Sequence, residues 1–322
     1  MKTSIALCTY NGEQYLKEQL ESYAYQTQLP DELIVCDDGS TDSTIDIIRE
    51  FADSASFSVK LYINEQNLGS TKNFEKAIRL CTGDIIFLSD QDDVWREDKI
   101  SLMSQIFEEC PGTGAIFTDA DVVDSRLQFL GYRLWDPVRF NQTQQKKMSS
   151  GQSVNVLLKH NVVTGATMAF SARLIPDILP IPKNWVHDAW IALLIAEIAD
   201  LKYIPEPLVL YRQHSNNQIG GVRKTLLEEI ETTKNTKRKS YLEAAEQYSV
   251  AKEHFKNSTM KKSKQSNIEF LLEKKIRHLQ NRSDMPSSLI KRLPIVMIEL
   301  LGFRYHRYSG GFKSFLKDIA GL

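Results

Sequence analysis

Ile85-Ile86-Phe87-Leu88-Ser89-Asp90-Gln91-Asp92-Asp93 runs from four apolar residues into three acids within four positions. A short continuous apolar run bounded by polar residues fits a strand buried on both faces. Like charges packed at the end of such a strand repel one another and cost stability unless a cation sits among them. Hard divalent cations prefer oxygen ligands, and Mg²⁺ commonly uses one or two carboxylates together with substrate phosphates. The acid-X-acid step therefore predicts either a metal held against a diphosphate or a solvated acidic turn, and spacing alone does not separate the two.

On either side of this stretch the chain alternates. Apolar spacing predicts strands at residues 5–9, 33–36, 59–63, 85–88 and 115–117, and helices at 13–26, 43–51, 71–80 and 99–107. Regular β-α alternation with short apolar strands argues for an α/β fold with a mostly parallel sheet flanked by helices. Ligands of such sheets bind beyond the carboxyl ends of the strands. Four polar clusters fall there: Thr9-Tyr10-Asn11-Gly12, Asp37-Asp38-Gly39-Ser40, Asn64 to Gly69, and Ser89 to Asp93. After residue 120 the pattern loosens. A strand entered through Gly165 is expected at 164–170, a loop at Pro176, Pro180 and Pro182, and a helix at 189–198.

The formal net charge of −1 hides an asymmetry: residues 223–322 carry 21 Lys+Arg against 11 Asp+Glu, and the rest carries 19 against 30. This predicts an acidic catalytic domain over 1–222 and a basic helical extension over 223–322, with heptad-like spacing at 226–248 and 268–279. In the extension, apolar residues 289–303 lie beside Arg304, Tyr305, His306, Arg307 and Tyr308. That mixture suits in-plane contact with an anionic membrane surface, or packing on the catalytic domain or on a second subunit as a homo-oligomer. Nucleic acid is not an expected partner, because Lys alternates with Glu and no recognition motif occurs. Cys8, Cys36, Cys81 and Cys110 lack metal-ligand spacing, and the first two read as small buried hydrophobes in a reducing compartment. The chain starts directly on a strand pattern and has no apolar run approaching the roughly 20 residues of a bilayer span. A cytoplasmic protein without a signal peptide is the expectation.

Asp37-Asp38-Gly39-Ser40-Thr41-Asp42 follows a strand and precedes a helix, so it is either a capped turn or a carboxylate seat for a nucleoside. G-x-G-x-x-G is absent after the first strand, which counts against a dinucleotide-dependent dehydrogenase. Cys8-Thr9-Tyr10-Asn11, Asp37-Asp38-Gly39-Ser40, Asn67-Leu68-Gly69 and Asp90-Gln91-Asp92, in this order, resemble a family 2 inverting glycosyltransferase of GT-A fold over roughly residues 3–220. The Ser89-to-Trp95 form, Tyr211-Arg212-Gln213-His214 and Tyr308-Ser309-Gly310-Gly311 are similar to bacterial rhamnosyltransferase-like members that build surface polysaccharides.

The resemblance implies a role for each motif. Thr9, Tyr10, Asn11, Asp37 and Asp38 would frame the nucleoside. Asn67, Gly69, Lys72 and Gln91 would lie near the nucleotide-sugar, with Lys72 offsetting phosphate charge. Asp90 and Asp92 would position Mg²⁺ or Mn²⁺, His214 would add a third ligand, and Arg212 would pair with the diphosphate. Asp93 would cap a helix or support these acids. Asp188 would be the general base; the family more often shows Glu-Asp where this chain has His187-Asp188. Asp188 read alone is an N-cap. Gly165, Ala166, Thr167, Met168, Trp185 and Trp190 fall on the expected acceptor side, with Met168 and Trp190 reading as core. The implied reaction is non-processive transfer of a sugar from a dTDP- or UDP-sugar to a saccharide or lipid-linked saccharide, with L-rhamnose a candidate sugar and the inner face of the plasma membrane the expected place. Two other readings are an inactive nucleotide-sugar-binding scaffold and a sugar-nucleotide pyrophosphorylase. The latter would want a Gly-rich basic loop, which Tyr10-Asn11-Gly12-Glu13 is not.

Overall fold

The computed structural model describes residues 1–214, 238–257 and 262–321. The chain divides into two compact units, Met1–Gly151 with Val162–Gly221, and Gln152–Asn161 with Val222–Leu322. The expected domain boundary at 222/223 and the expected helix start at 226 lie outside the described residues. The segment Gln152–Asn161, expected in the catalytic domain, groups with the second unit.

In chain order the elements up to residue 212 are β1 (Thr3–Thr9), α1 (Leu16–Ala24), β2 (Glu32–Asp37), α2 (Thr44–Ser54), β3 (Ser58–Ile63), α3 (Ser70–Leu80), β4 (Ile85–Ser89), β5 (Val94–Trp95), α4 (Lys99–Glu109), β6 (Thr113–Val123), β7 (Phe129–Arg133), α5 (Gln142–Ser149), α6 (Ser153–Lys159), β8 (Met168–Ser171), α7 (Ile175–Ile178), α8 (His187–Ile198) and β9 (Asp200–Arg212). The nine strands form one sheet in the order β3-β2-β1-β4-β8-β6-β9-β5, with β7 paired to β6. β1, β2 and β4 are buried along their whole length, as their unbroken apolar character requires. Ile5, Leu7, Leu33, Val35, Ile85 and Phe87 share a core with Leu16, Leu20 and Tyr23 of α1, Ile48 of α2 and Ile100, Met103 and Phe107 of α4. α3 packs on β1 and β2, and α8 packs on α3, β6 and β9.

The sheet keeps the expected largely parallel pairing and adds antiparallel strands to it. β3-β2-β1-β4 and β6-β9 run parallel, but β8 is antiparallel to both β4 and β6, and β5 and β7 are antiparallel to β9 and β6. The fold is a parallel half joined through β8 to a mixed half. The turn into β8 is a 3-10 segment, Gly165–Thr167.

The described residues of the second unit are mostly helical. Arg238–Lys256 and Lys262–Ser283 pack as a pair. Leu289–Leu301, Arg304–Tyr308 and Phe312–Ala320 follow, and α6 packs against Arg304–Tyr308. Val296, Tyr305 and Phe315 form a small apolar core, and the same unit holds buried polar pairs. His278 Nδ1 lies 2.5 Å from Glu299, and Arg282 makes a two-pronged contact with Asp318 at 2.8 and 2.9 Å. Among the described residues, no helix is long and apolar enough to cross a membrane.

Candidate active site

The carboxyl ends of β1, β2 and β4 carry loops that are tied to one another. Asp37, fully buried, accepts from Thr9 Oγ1 at 2.8 Å and from the N–H groups of Gly39 and Ser40 at 3.1 and 2.8 Å. Asp38 accepts from Asn64 Nδ2 at 2.7 Å and from the backbone of Leu68 and Gly69 at 2.8 and 2.9 Å. The acid pair thus folds its own loop and the one at 64–69, and its carboxylates are largely spent there. Asn67 joins the same loop, bonded to the Asp38 carbonyl at 3.2 Å and accepting from Gly69 N–H at 3.1 Å. Gly69 has φ +76°, a conformation that favours glycine. Gln91 clamps Tyr10 through two bonds, accepting its N–H at 2.8 Å and donating to its carbonyl at 3.1 Å. That clamp is why Gly12 has no side chain: a Cβ there would meet the Gln91 amide at 2.3 Å. Asn11 bonds Ser40 and Thr41, and Tyr10 is left 49% exposed at the rim.

Beyond this frame lie the acids. Burial, then the charges of Asp92 and Asp188, push the Asp90 carboxyl up to about 7, against a smaller pull from Lys99. Burial and the charges of Asp92 and Asp90 raise Asp93 well above the carboxylate range. Asp93 does not cap a helix; its Oδ1 accepts the Arg212 N–H at 2.9 Å, while its buried Oδ2 has no partner. His214, at the end of β9, comes within 2.8 Å of Asp92 Oδ2 through Nε2. Tertiary folding therefore brings together Asp92 and His214 from positions 122 residues apart.

Asp188 stands at the start of α8. Val186 is the residue preceding that helix, so Asp188 is not its N-cap. Its Oδ2 accepts the Gly165 N–H at 2.9 Å and its Oδ1 the Ala189 N–H at 2.5 Å. Burial raises the carboxyl to about 6 in spite of those two bonds. The neighbouring His187 is 5% exposed, stacks on Phe74 at 3.8 Å between ring centroids, and has no hydrogen-bond partner at either ring nitrogen. Burial lowers its pKa to about 3, so it is neutral.

Two expectations are corrected. Lys72 does not face open space: Nζ donates to Glu75 and to the Ile181 carbonyl, both at 2.6 Å, pinning α3 to the proline loop. Arg212 is 1% exposed and donates to the carbonyls of Asp92 and Ser125 and to Glu18, while its guanidinium stacks on Tyr15 at 4.4 Å. It braces the acid loop from behind rather than offering a cation to a diphosphate. Trp190, fully buried, donates Nε1–H to the Ile178 carbonyl and is core, as is Met168; Gly165, Ala166 and Thr167 are also buried. Of the aromatic residues expected on the acceptor side, Trp185 is 7% exposed and packs edge-on against Trp190.

Sequence reading missed Lys99. It is fully buried under the acids, donates to the Ala166 carbonyl at 2.8 Å and lies 3.5 Å above the Trp95 ring. Burial lowers its pKa well below the lysine range, while Asp93 and Asp90 pull the other way. One turn thus links Lys99, through Ala166, to the Gly165 N–H that orients Asp188.

The donor set suits a hard cation. Among the described residues no three His, Cys, Asp or Glu side chains form a ready cage. Asp90 and Asp92 supply the carboxylate oxygens that suit Mg²⁺ or Mn²⁺, the His214 imidazole would be a softer third donor, and ligand phosphates commonly complete such a shell. Burial is the main cause of the raised Asp90 and Asp93 carboxyls, and the neighbouring acids add to it.

An uncharacterised glycosyltransferase of Nostoc is 26% identical over 239 residues, covering 72% of this chain and 71% of the relative. A dTDP-rhamnosyl transferase of Shigella flexneri is 28% identical, covering 67% and 74%. An uncharacterised protein of Mycobacterium tuberculosis is 26% identical and is matched over 59% of its own length. Among solved structures, S. aureus TarS with UDP-GlcNAc gives a TM-score of 0.63 at 15% identity over 99% of this chain and 89% of that one. A mannosyltransferase from Pyrobaculum calidifontis, with GDP-Man and Mn²⁺, gives 0.56 at 15% identity over 93% and 75%. These structural likenesses establish the GT-A-type fold. The model of glycosyl transferase family 2 matches residues 4–172, more than half of the 322, and the chain belongs to that family.

Proposed function

We propose that the chain is an inverting, metal-dependent, non-processive glycosyltransferase that moves a sugar from a dTDP- or UDP-sugar onto a saccharide or lipid-linked saccharide of a cell-surface polysaccharide, working at the inner face of the plasma membrane. Family membership supports nucleotide-sugar chemistry. The Shigella relative supports L-rhamnose from dTDP-rhamnose as the first donor to try.

The observation that carries the reading is Asp188: a buried carboxyl, oriented by two backbone N–H groups, held at about 6 and within electrostatic reach of the strand-end acids. A general base works best with a pKa near the operating pH. In this reading Asp188 takes the acceptor hydroxyl proton as that oxygen bonds to the anomeric carbon; the bond to the nucleoside diphosphate breaks on the opposite face, and the configuration inverts. Thr9, Tyr10, Asn11, Asp37, Asp38, Asn67, Gly69 and Gln91 frame the nucleoside, with the two acids acting through the loops they fold. Asp90, Asp92 and His214 hold the cation, which when bound stabilises the charge growing on the diphosphate. Lys99 limits the repulsion among the acids from below.

A thermal-shift panel of nucleotide sugars with and without Mn²⁺ tests this. A ligand that binds only the folded state raises its stability. A shift with one donor that requires the metal is expected, with transfer lost in Asp188→Asn. Silence toward every nucleotide would point instead to a scaffold.

A further inference from the structure

The helix Leu289–Leu301 is inside out. It buries Arg292, Val296 and Glu299 and turns Leu289, Ile290, Leu293, Met297, Ile298 and Leu301 to solvent, at 38–85% exposure. Their three- and four-residue spacing sets them along one stripe. Phe303 and Phe312 continue the apolar surface at 64% and 57% exposure. The helix cannot roll this stripe inward without breaking the bonds that fix its buried face. Arg292 donates to the carbonyls of Pro286, Ser287 and Ile319 at 3.2, 3.1 and 2.8 Å, and Glu299 accepts from Asn281 and Arg304 at 2.7 and 2.6 Å. Apolar patches of this kind on a folded surface mark interaction sites.

Charge selects the partner. From Leu289 to Gly321 the only acids are Glu299 and Asp318, both buried and bonded, whereas Lys291, Arg307 and Lys313 are exposed. We propose that this face seats in the interfacial layer of an anionic lipid bilayer, the apolar stripe at the acyl boundary and the basic side chains among the headgroups. A second copy fits less well. A twofold contact would bring the same basic residues together with no exposed acid of this stretch to answer them, and like-charge juxtaposition is costly. The proposal gives the membrane-working part of the proposed function a surface, and it stands apart from donor chemistry.

The test uses the full chain and vesicles of phosphatidylcholine with or without phosphatidylglycerol, read by flotation. Binding to the anionic vesicles is expected, weaker by about tenfold or more on neutral vesicles or when salt rises from about 50 to about 500 mM. The triple variant Ile290→Ser/Ile298→Ser/Leu301→Ser changes side chains 85%, 60% and 72% exposed, so folding is not at stake. It should lose binding by about a hundredfold while keeping the donor-induced thermal shift of the parent. Equal binding by the variant, no binding by the parent, or a parent dimer that the variant dissolves would overturn the proposal, the last assigning the face to a second copy. Absence of a donor shift in the parent would strike the transferase reading alone and leave the vesicle result standing.

Discussion

In the helical unit Glu299 and Asp318 are buried and answered. Burial works against the Glu299 charge, but bonds from His278 and Asn281 outweigh it and hold the carboxyl below its usual range. Arg282 is likewise held charged by Asp318 against the pull of burial. At the sheet edge Asp93 and Asp188 are buried and Asp90 is partly so, yet all three carboxyls rise. Lys99, the one buried cation among the described residues to register on Asp90 and Asp93, has its own pKa pushed down. Buried carboxyls answered by partners serve the fold, whereas buried carboxyls pushed upward cluster at functional sites. The contrast predicts that substitutions in the two units fail in different ways.

The largest effect is expected at Asp188. Asp188→Asn should lower kcat by about 10³-fold or more while sparing donor binding, since general-base catalysis is worth about 10² to 10⁴; unchanged turnover would remove Asp188 from the chemistry. Arg282→Ala should cost about 3–5 kcal/mol in urea or thermal unfolding of the helical unit, because it strands Asp318 in the interior. It should leave turnover per folded molecule alone, and a loss of turnover without loss of stability would break the comparison. Asp92→Asn should weaken metal-dependent donor binding by about 10- to 100-fold, measured as the metal concentration needed for half-maximal thermal shift.

pH sharpens the same contrast. Asp188 must be a carboxylate to accept a proton, so kcat/KM should fall as pH drops through about 6. Its folded pKa lies above the unfolded value of about 3.9, so the protonated form is the one the fold favours. That contribution is full below about 4 and is lost as pH rises through about 6. The stability of Asp188→Asn relative to the parent should therefore improve by up to about 3 kcal/mol between those limits. A flat difference would show that Asp188 titrates normally.

The smallest effect is expected at His187. Its two orphaned nitrogens cost free energy, so His187→Phe should stabilise by about 1 kcal/mol if the ring only packs on Phe74. Lost transfer with normal donor binding would instead give the imidazole a part in seating the acceptor.

Much of the parallel half of the sheet was legible because its strands are short apolar runs ending in polar clusters, and β1, β2 and β4 lie where those runs predict. The mixed half was not. β9 spans Asp200–Arg212 and contains Pro205 and Pro207, residues that punctuate a strand pattern. The structure absorbs them at shifts of register against β6, near Asp119. β5 and β7 are too short or too exposed to show an apolar run.

The sequence by itself placed the acids at strand ends, because apolar period and chain direction are local properties. It also set the basic excess of the last hundred residues, which is composition. Only the tertiary structure decided what each charge does. Lys72 and Arg212 looked available for phosphate and are consumed by Glu75, Ile181, Asp92 and Glu18. Lys99 looked like the start of a helix and lies beneath the acids. The reason is that partnership and burial depend on groups tens to hundreds of residues away, and a charge acquires its function from what surrounds it in space.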